Sequence, residues 1–126
     1  MIIKQATTVA ELFQYEDNII HAARRQQSRM GFFPVVYHCI STTMRAYGDQ
    51  GMFQNLDLMH QVALGLFNRY FEALQLYEAG ELPSRAWLVA FEAAQSWWPT
   101  VGQRILLCIN PHINLCLLYT SDAADD

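Results

Sequence analysis

Asn55-LDLMHQVALGLFNRYFEALQLYEA-Gly80 is the stretch on which the fold turns. Within it Met59, Ala63, Leu66, Tyr70, Leu74 and Tyr77 recur every three or four residues, which places them on one side of an α-helix. A strand would need alternation with period two, and none is sustained here. Asn55 is suited to cap the start, its side-chain oxygen accepting a backbone N–H of the first turn. Gly80 is suited to stop the end. A helix this long with one apolar side has to bury that side against other elements, so the flanking sequence decides what those are.

Upstream, residues 8–30 predict a first helix. Val9, Leu12 or Phe13, Ile19 or Ile20 and Ala23 follow helical spacing, Thr8 and Glu11 match a Ser/Thr-x-x-Glu capping box, and Gly31 is expected to end it. Pro34 suits the first turn of a second helix with the stripe Tyr37, Ile40, Met44 and Tyr47, and Gly48–Gly51 reads as a loop. Downstream of a short connection at 81–84, Trp87, Ala90, Phe91, Ala94 and Trp98 mark a fourth helix closed by Pro99. Thr100 can cap a fifth, carrying Val101, Ile105 and Cys108 or Ile109. Short connections predict antiparallel neighbours. The expected fold class is all-α, a single bundle of about five helices. Trp87, Phe91, Trp97, Trp98, Phe67, Tyr70 and Phe71 are expected in its core.

The last eleven residues, Cys116-Leu-Leu-Tyr-Thr-Ser-Asp-Ala-Ala-Asp-Asp126, read as the translation of a transposase adapter used in sequencing libraries. The expectation is therefore an all-α domain over 1–115, incomplete at its C-terminus, and a non-native tail over 116–126. The chain has 12 acidic and 8 basic residues; setting aside Asp122, Asp125 and Asp126 takes the formal charge from −4 to −1. A near-neutral chain with scattered basic residues gives no reason to expect nucleic acid or an anionic membrane as partner. No apolar run approaches a membrane span, and no secretory signal opens the chain. Cys39 and Cys108, without paired spacing, point to a reducing, cytoplasmic setting.

Four stretches resemble a known bacterial all-α family, the domain of unknown function 5995 family. They are Ser28-Arg-Met-Gly-Phe-Phe33 with Tyr37, Phe67-Asn-Arg-Tyr70 with Glu72-Ala73, Trp87 through Ala94, and Asn110-x-His112-Ile-Asn114-Leu115. The resemblance covers about residues 10–115 and implies a helical domain; it supplies no activity. It also implies a terminal motif Gly-Met-Asn-Ala-His-Ile-Asn-x-Asp. Here Cys108-Ile109 stand for Gly-Met, Pro111 stands for Ala, and the adapter-like stretch begins where the Asp would come.

The Asn110/His112/Asn114 cluster is the main candidate site, with Arg69 beside it. On one continuous helix Asn110 and Asn114 share a face while His112 lies about 200° away. Alternatively Asn110 caps a new helix that begins at Pro111. His112 is the candidate metal or acid–base residue, because imidazole suits both tasks. Against this stands a purely structural role, the Asn side chains satisfying backbone groups while His112 packs.

Other polar residues point less far. Asp57 and His60 share a face, but no second carboxylate-x-x-His accompanies them. Asn68, Arg69 and Glu72 are spaced for a mid-helix polar network. His38 and Cys39 are consecutive, hence about 100° apart, and Cys39 is expected as a small buried hydrophobe. His21 has no evident partner. No phosphate loop, Cys-x-x-Cys, Gly-x-Ser-x-Gly or His-Glu-x-x-His is present, so no cofactor is indicated. The leading expectation is a structural or small-ligand-binding module; the rival is a metal-dependent or acid–base hydrolase. Whether it forms an oligomer does not follow from the sequence.

Overall fold

The computed structural model describes residues 2–111. Among them the chain forms α1 (Val9–Arg25), a 3-10 turn (Arg29–Gly31), α2 (Phe32–Asp49), α3 (Leu56–Glu78), α4 (Arg85–Gln95) and α5 (Val101–Pro111), with no strand. The fold class is all-α, as the hydrophobic periods require.

Local chemistry sets the helix ends. Thr8 caps α1, its Oγ1 accepting from the Glu11 N–H at 3.2 Å, while the Glu11 carboxylate reaches back to the Thr7 N–H and hydroxyl. Asn55 Oδ1 accepts from the Leu58 N–H, and Thr100 and Gln103 cap each other reciprocally at the start of α5. Three helices close with the same pair of backbone bonds, from the residue in left-handed conformation and from the one after it. For α2 and α3 the left-handed residue is Gly51 or Gly80; for α1 it is Gln27, at φ 51°. Gln27 therefore ends α1 at Arg25, five residues earlier than the expected end at 30. Ser28 then starts the 3-10 turn, its Oγ accepting from the Met30 N–H. α2 begins at Phe32, with Pro34 inside its first turn, and continues through Gly48 to Asp49.

The chain divides into two compact units, Ala6–Asn68 and Met1–Gln5 with Arg69–Asp126. In the first, α1 and α2 run antiparallel: Phe13 lies beneath Arg45, Glu16 beside His38 and Ser41, and Ala23 beside Gly31. A Cβ added to Gly31 would stand 2.8 Å from that of Ala23, so the bare glycine permits the close approach. Leu12, Ile20, Ala23, Phe33 and Phe67 are buried, and Tyr37 packs on Phe67 at 6.2 Å. Burying each large side chain contributes about 1.5–3 kcal/mol. Asn68 clamps the segment before α1: its Oδ1 accepts from the Ala6 N–H and its Nδ2 donates to the Ala6 carbonyl. The amide therefore pairs with backbone rather than with Glu72.

The inward face of α2 differs from the expected stripe. Ile40 is 55% exposed and Tyr47 is also exposed. Phe33 and Pro34 are buried, while His38 and Ser41 turn toward α1 to reach Glu16. Two hydrogen bonds to a buried carboxylate fix the rotation of α2 that an apolar count would set otherwise.

In the second unit, Tyr70 and Tyr77 of α3 meet Trp87 and Phe91 of α4, with Trp87 stacked on Phe91 at 5.6 Å. α4 packs on α5. Gln75 repeats the clamp on Lys4, accepting from its N–H and donating to its carbonyl. Trp97 and Trp98 are not core: they are 84% and 63% exposed. α4 stops at Gln95, Ser96 is extended, and the two indoles leave the helical face that Trp87 and Phe91 occupy. The buried face of α5 is Arg104, Cys108 and Pro111, with Val101 exposed. Arg104 Nη2 donates to the Ser96 carbonyl at 2.7 Å and so holds the corner before α5. No helix among the described residues is long and apolar enough to cross a membrane.

Candidate functional site

Glu16 lies midway along the buried face of α1, four residues after Leu12 and four before Ile20. At 1% exposure it cannot reach water, so its charge needs partners. α2 provides them: His38 Nδ1 lies 2.9 Å from Glu16 Oε2, and Ser41 Oγ donates to Glu16 Oε1 at 2.8 Å. His38 and Ser41 are three apart on one helix and so share a face. Asp17 approaches the same imidazole nitrogen at 3.9 Å, and Phe13 meets the ring edge-on at 5.7 Å. Arg45 lies over the Phe13 ring at 5.2 Å.

Burial pushes the Glu16 carboxyl above its ordinary pKa, and the hydrogen bonds from Ser41 and His38 offset part of that rise. When Glu16 is ionised it holds the proton on Nδ1 of a neutral His38, leaving Nε2 as the ring's acceptor. The imidazole is a third exposed, so the pair is an oriented, solvent-reaching base. It is not a serine relay, because Ser41 gives its hydroxyl hydrogen to Glu16 rather than to His38.

One turn further along α1, the same helix pair opens into a cleft of about 300 Å³. Ile20, Ala23, Phe32 and Val35 form its apolar lining, and Arg24 and Arg29 bring positive charge. Ser28 and Gly31 close the end where the chain turns.

The sequence candidates fall elsewhere. Asn110 is exposed within the last turn of α5, and Pro111 continues that helix, so Asn110 does not cap a new one. Arg69 is exposed on α3. His112 and Asn114 lie outside the described residues. Asp57 and His60 are exposed near the start of α3, Asp57 as an acidic first-turn residue. His21 is exposed on α1. Cys39 is exposed rather than buried, because the rotation that points His38 at Glu16 turns its neighbour outward. Among the described residues no three His, Cys, Asp or Glu side chains gather to hold a metal. Glu16 was legible in principle: a carboxylate centred on an apolar stripe signals a buried partner. Arg104, on the buried face of α5, carries the same signal.

The family model described as a family of unknown function (DUF5995) matches residues 9–124, a span that runs past Leu115 into the adapter-like stretch. No curated protein and no solved structure matches the chain.

Proposed function

The chain belongs to the DUF5995 family, and on that premise we propose that its α1–α2 pair forms a small-ligand-binding module of a cytoplasmic protein. The observation that carries this reading is the cleft of about 300 Å³ between two helices locked in register by Glu16, His38 and Ser41. Its volume falls at the small end of the range typical of ligand pockets, about 300–1,000 Å³. The free thiols of Cys39 and Cys108 fit a reducing compartment, and a formal charge of −4, or −1 without Asp122, Asp125 and Asp126, gives no electrostatic attraction for nucleic acid. A thermal-shift screen of small metabolites against wild type and Val35→Trp tests it. Val35 is exposed, so the indole should fill the cleft without disturbing the core. At least one compound should raise the melting temperature of wild type and leave the variant unmoved. A panel that never separates the two proteins would overturn the reading.

The Glu16–His38 pair favours one second reading, an acid–base hydrolase in which His38 Nε2 is the base. Hydrolysis of an activated ester should then disappear in His38→Asn. A wild-type rate no greater than that of free imidazole would end this reading.

A further inference from the structure

We infer that the ligand of the α1–α2 cleft is an uncharged, largely apolar molecule the size of two fused rings, with one acceptor atom that meets the Ser28 hydroxyl; this rests on the ligand-binding reading above. The size follows from the space. An apolar cavity of roughly 150 Å³ takes up one benzene ring, and the cleft offers about 300 Å³. The apolar body follows from the lining. Ile20 and Ala23 are buried, whereas Phe32 is 37% and Val35 41% exposed. An apolar ligand removes the exposed part of those two side chains from water. A charge has nothing to gain there. No acidic residue lines the cleft, so a cation finds no partner. Arg24 and Arg29 are both exposed, and Arg29 is already engaged with another group. A carboxylate in the cleft would give up its own water for guanidinium groups that keep theirs. The acceptor atom follows from Ser28, which is half-buried in the lining. Its backbone N–H donates to the Ala23 carbonyl at 2.8 Å, its carbonyl accepts from Gly31, and its Oγ accepts from the Met30 N–H at 3.2 Å. A hydroxyl that accepts still carries a hydrogen to give. These bonds fix the residue before any ligand arrives, which lowers the entropy cost of binding. Gln27, the other uncharged polar residue of the lining, is exposed and stays hydrated.

Titration of the isotope-labelled protein, followed by NMR, tests the inference with four probes: quinoline, indole, a quinoline carboxylate and an aminomethylquinoline, the last two substituted on the carbocyclic ring. Each is run on wild type, Ser28→Ala, Ser28→Thr and Val35→Trp, and the spectra show whether every variant is folded. Quinoline, whose nitrogen accepts, should bind wild type about threefold to tenfold more tightly than indole, whose nitrogen donates. Both charged quinolines should bind about tenfold more weakly than quinoline itself. Ser28→Ala should bring quinoline down to the level of indole, and Ser28→Thr, which keeps the hydroxyl, should preserve its lead. Val35→Trp should weaken every probe. A charged quinoline matching quinoline on wild type, or quinoline keeping its lead in Ser28→Ala, would overturn the assigned ligand; with Val35→Trp still blocking, the cleft reading would stand. Probes binding Val35→Trp as well as wild type, or none binding folded wild type, would overturn both.

Discussion

Glu16 spends both carboxylate oxygens on α2, one toward His38 and one toward Ser41. Glu16→Ala removes both bonds and leaves a small void, which should cost about 2–4 kcal/mol in chemical denaturation. Glu16→Gln should cost less, since an amide oxygen can still accept from Ser41. A loss below 1 kcal/mol in Glu16→Ala would show that the cluster does not lock the helix pair. The cysteines give a second test. Burial pushes the Cys108 thiol up to about 12, whereas Cys39 is exposed. Iodoacetamide on the native protein should label Cys39 and spare Cys108 until denaturant is added, as peptide mapping by mass spectrometry would show. The sequence misled on these residues because chain neighbours and spatial neighbours differ. His38 draws the eye to Cys39, yet its partner is 22 residues away. Glu16 reads as a gap in an apolar stripe, yet it is the point at which the stripe turns polar.

At the scale of helices the sequence was far more informative. Caps at Thr8, Asn55 and Thr100 and the stop at Gly80 lie where residue chemistry places them. The errors sit where a neighbouring helix decides. The end of α1 needs a left-handed residue, and Gln27 takes that role against its own preference. Gln27→Gly should therefore raise stability by about 0.5–1 kcal/mol, because removing the Cβ relieves more than the added freedom of the unfolded chain costs. Two glycines should answer alanine with opposite signs. Gly65 lies within α3 with nothing near its missing Cβ, so Gly65→Ala should stabilise by about 0.5–1 kcal/mol. Gly31→Ala would force its Cβ to 2.8 Å from that of Ala23 and should destabilise by about 1–3 kcal/mol. Equal shifts for the two variants in thermal melts would contradict the α1–α2 packing. The exposed face of α2 was not legible for a related reason: its rotation depends on Glu16, a residue of another helix.

Over the whole molecule, the pH dependence of stability combines carboxylates of opposite sign. Burial raises the pKa of Glu16, so it favours the folded state most when protonated and loses that contribution as pH rises through its folded value; the same direction at Glu78 counts for less, because that residue is exposed and screened by solvent. Hydrogen bonds from Thr7 and Thr8 lower the pKa of Glu11, whose contribution is present at neutral pH and lost on acidification through its folded value. Between neutral pH and the ordinary carboxylate range, the stability of wild type relative to Glu16→Gln should rise as pH falls. A constant or shrinking difference in melting temperature would contradict the assigned burial of Glu16. How helices from distant parts of the chain choose one another was the least legible property. Asn68 and Gln75 show why: each binds the backbone of an extended segment more than 60 residues away, a contact that leaves no periodicity in the sequence.

The exposed corner after α4 also has an optical consequence. Of three tryptophans, Trp87 is enclosed by Tyr70 and Phe91, whereas Trp97 and Trp98 face solvent. Native fluorescence is then a sum of two populations, a blue-shifted component that iodide cannot quench and a red-shifted one that it can. Unfolding merges them, so the protein carries its own probe for the aromatic core and a separate one for its most open turn.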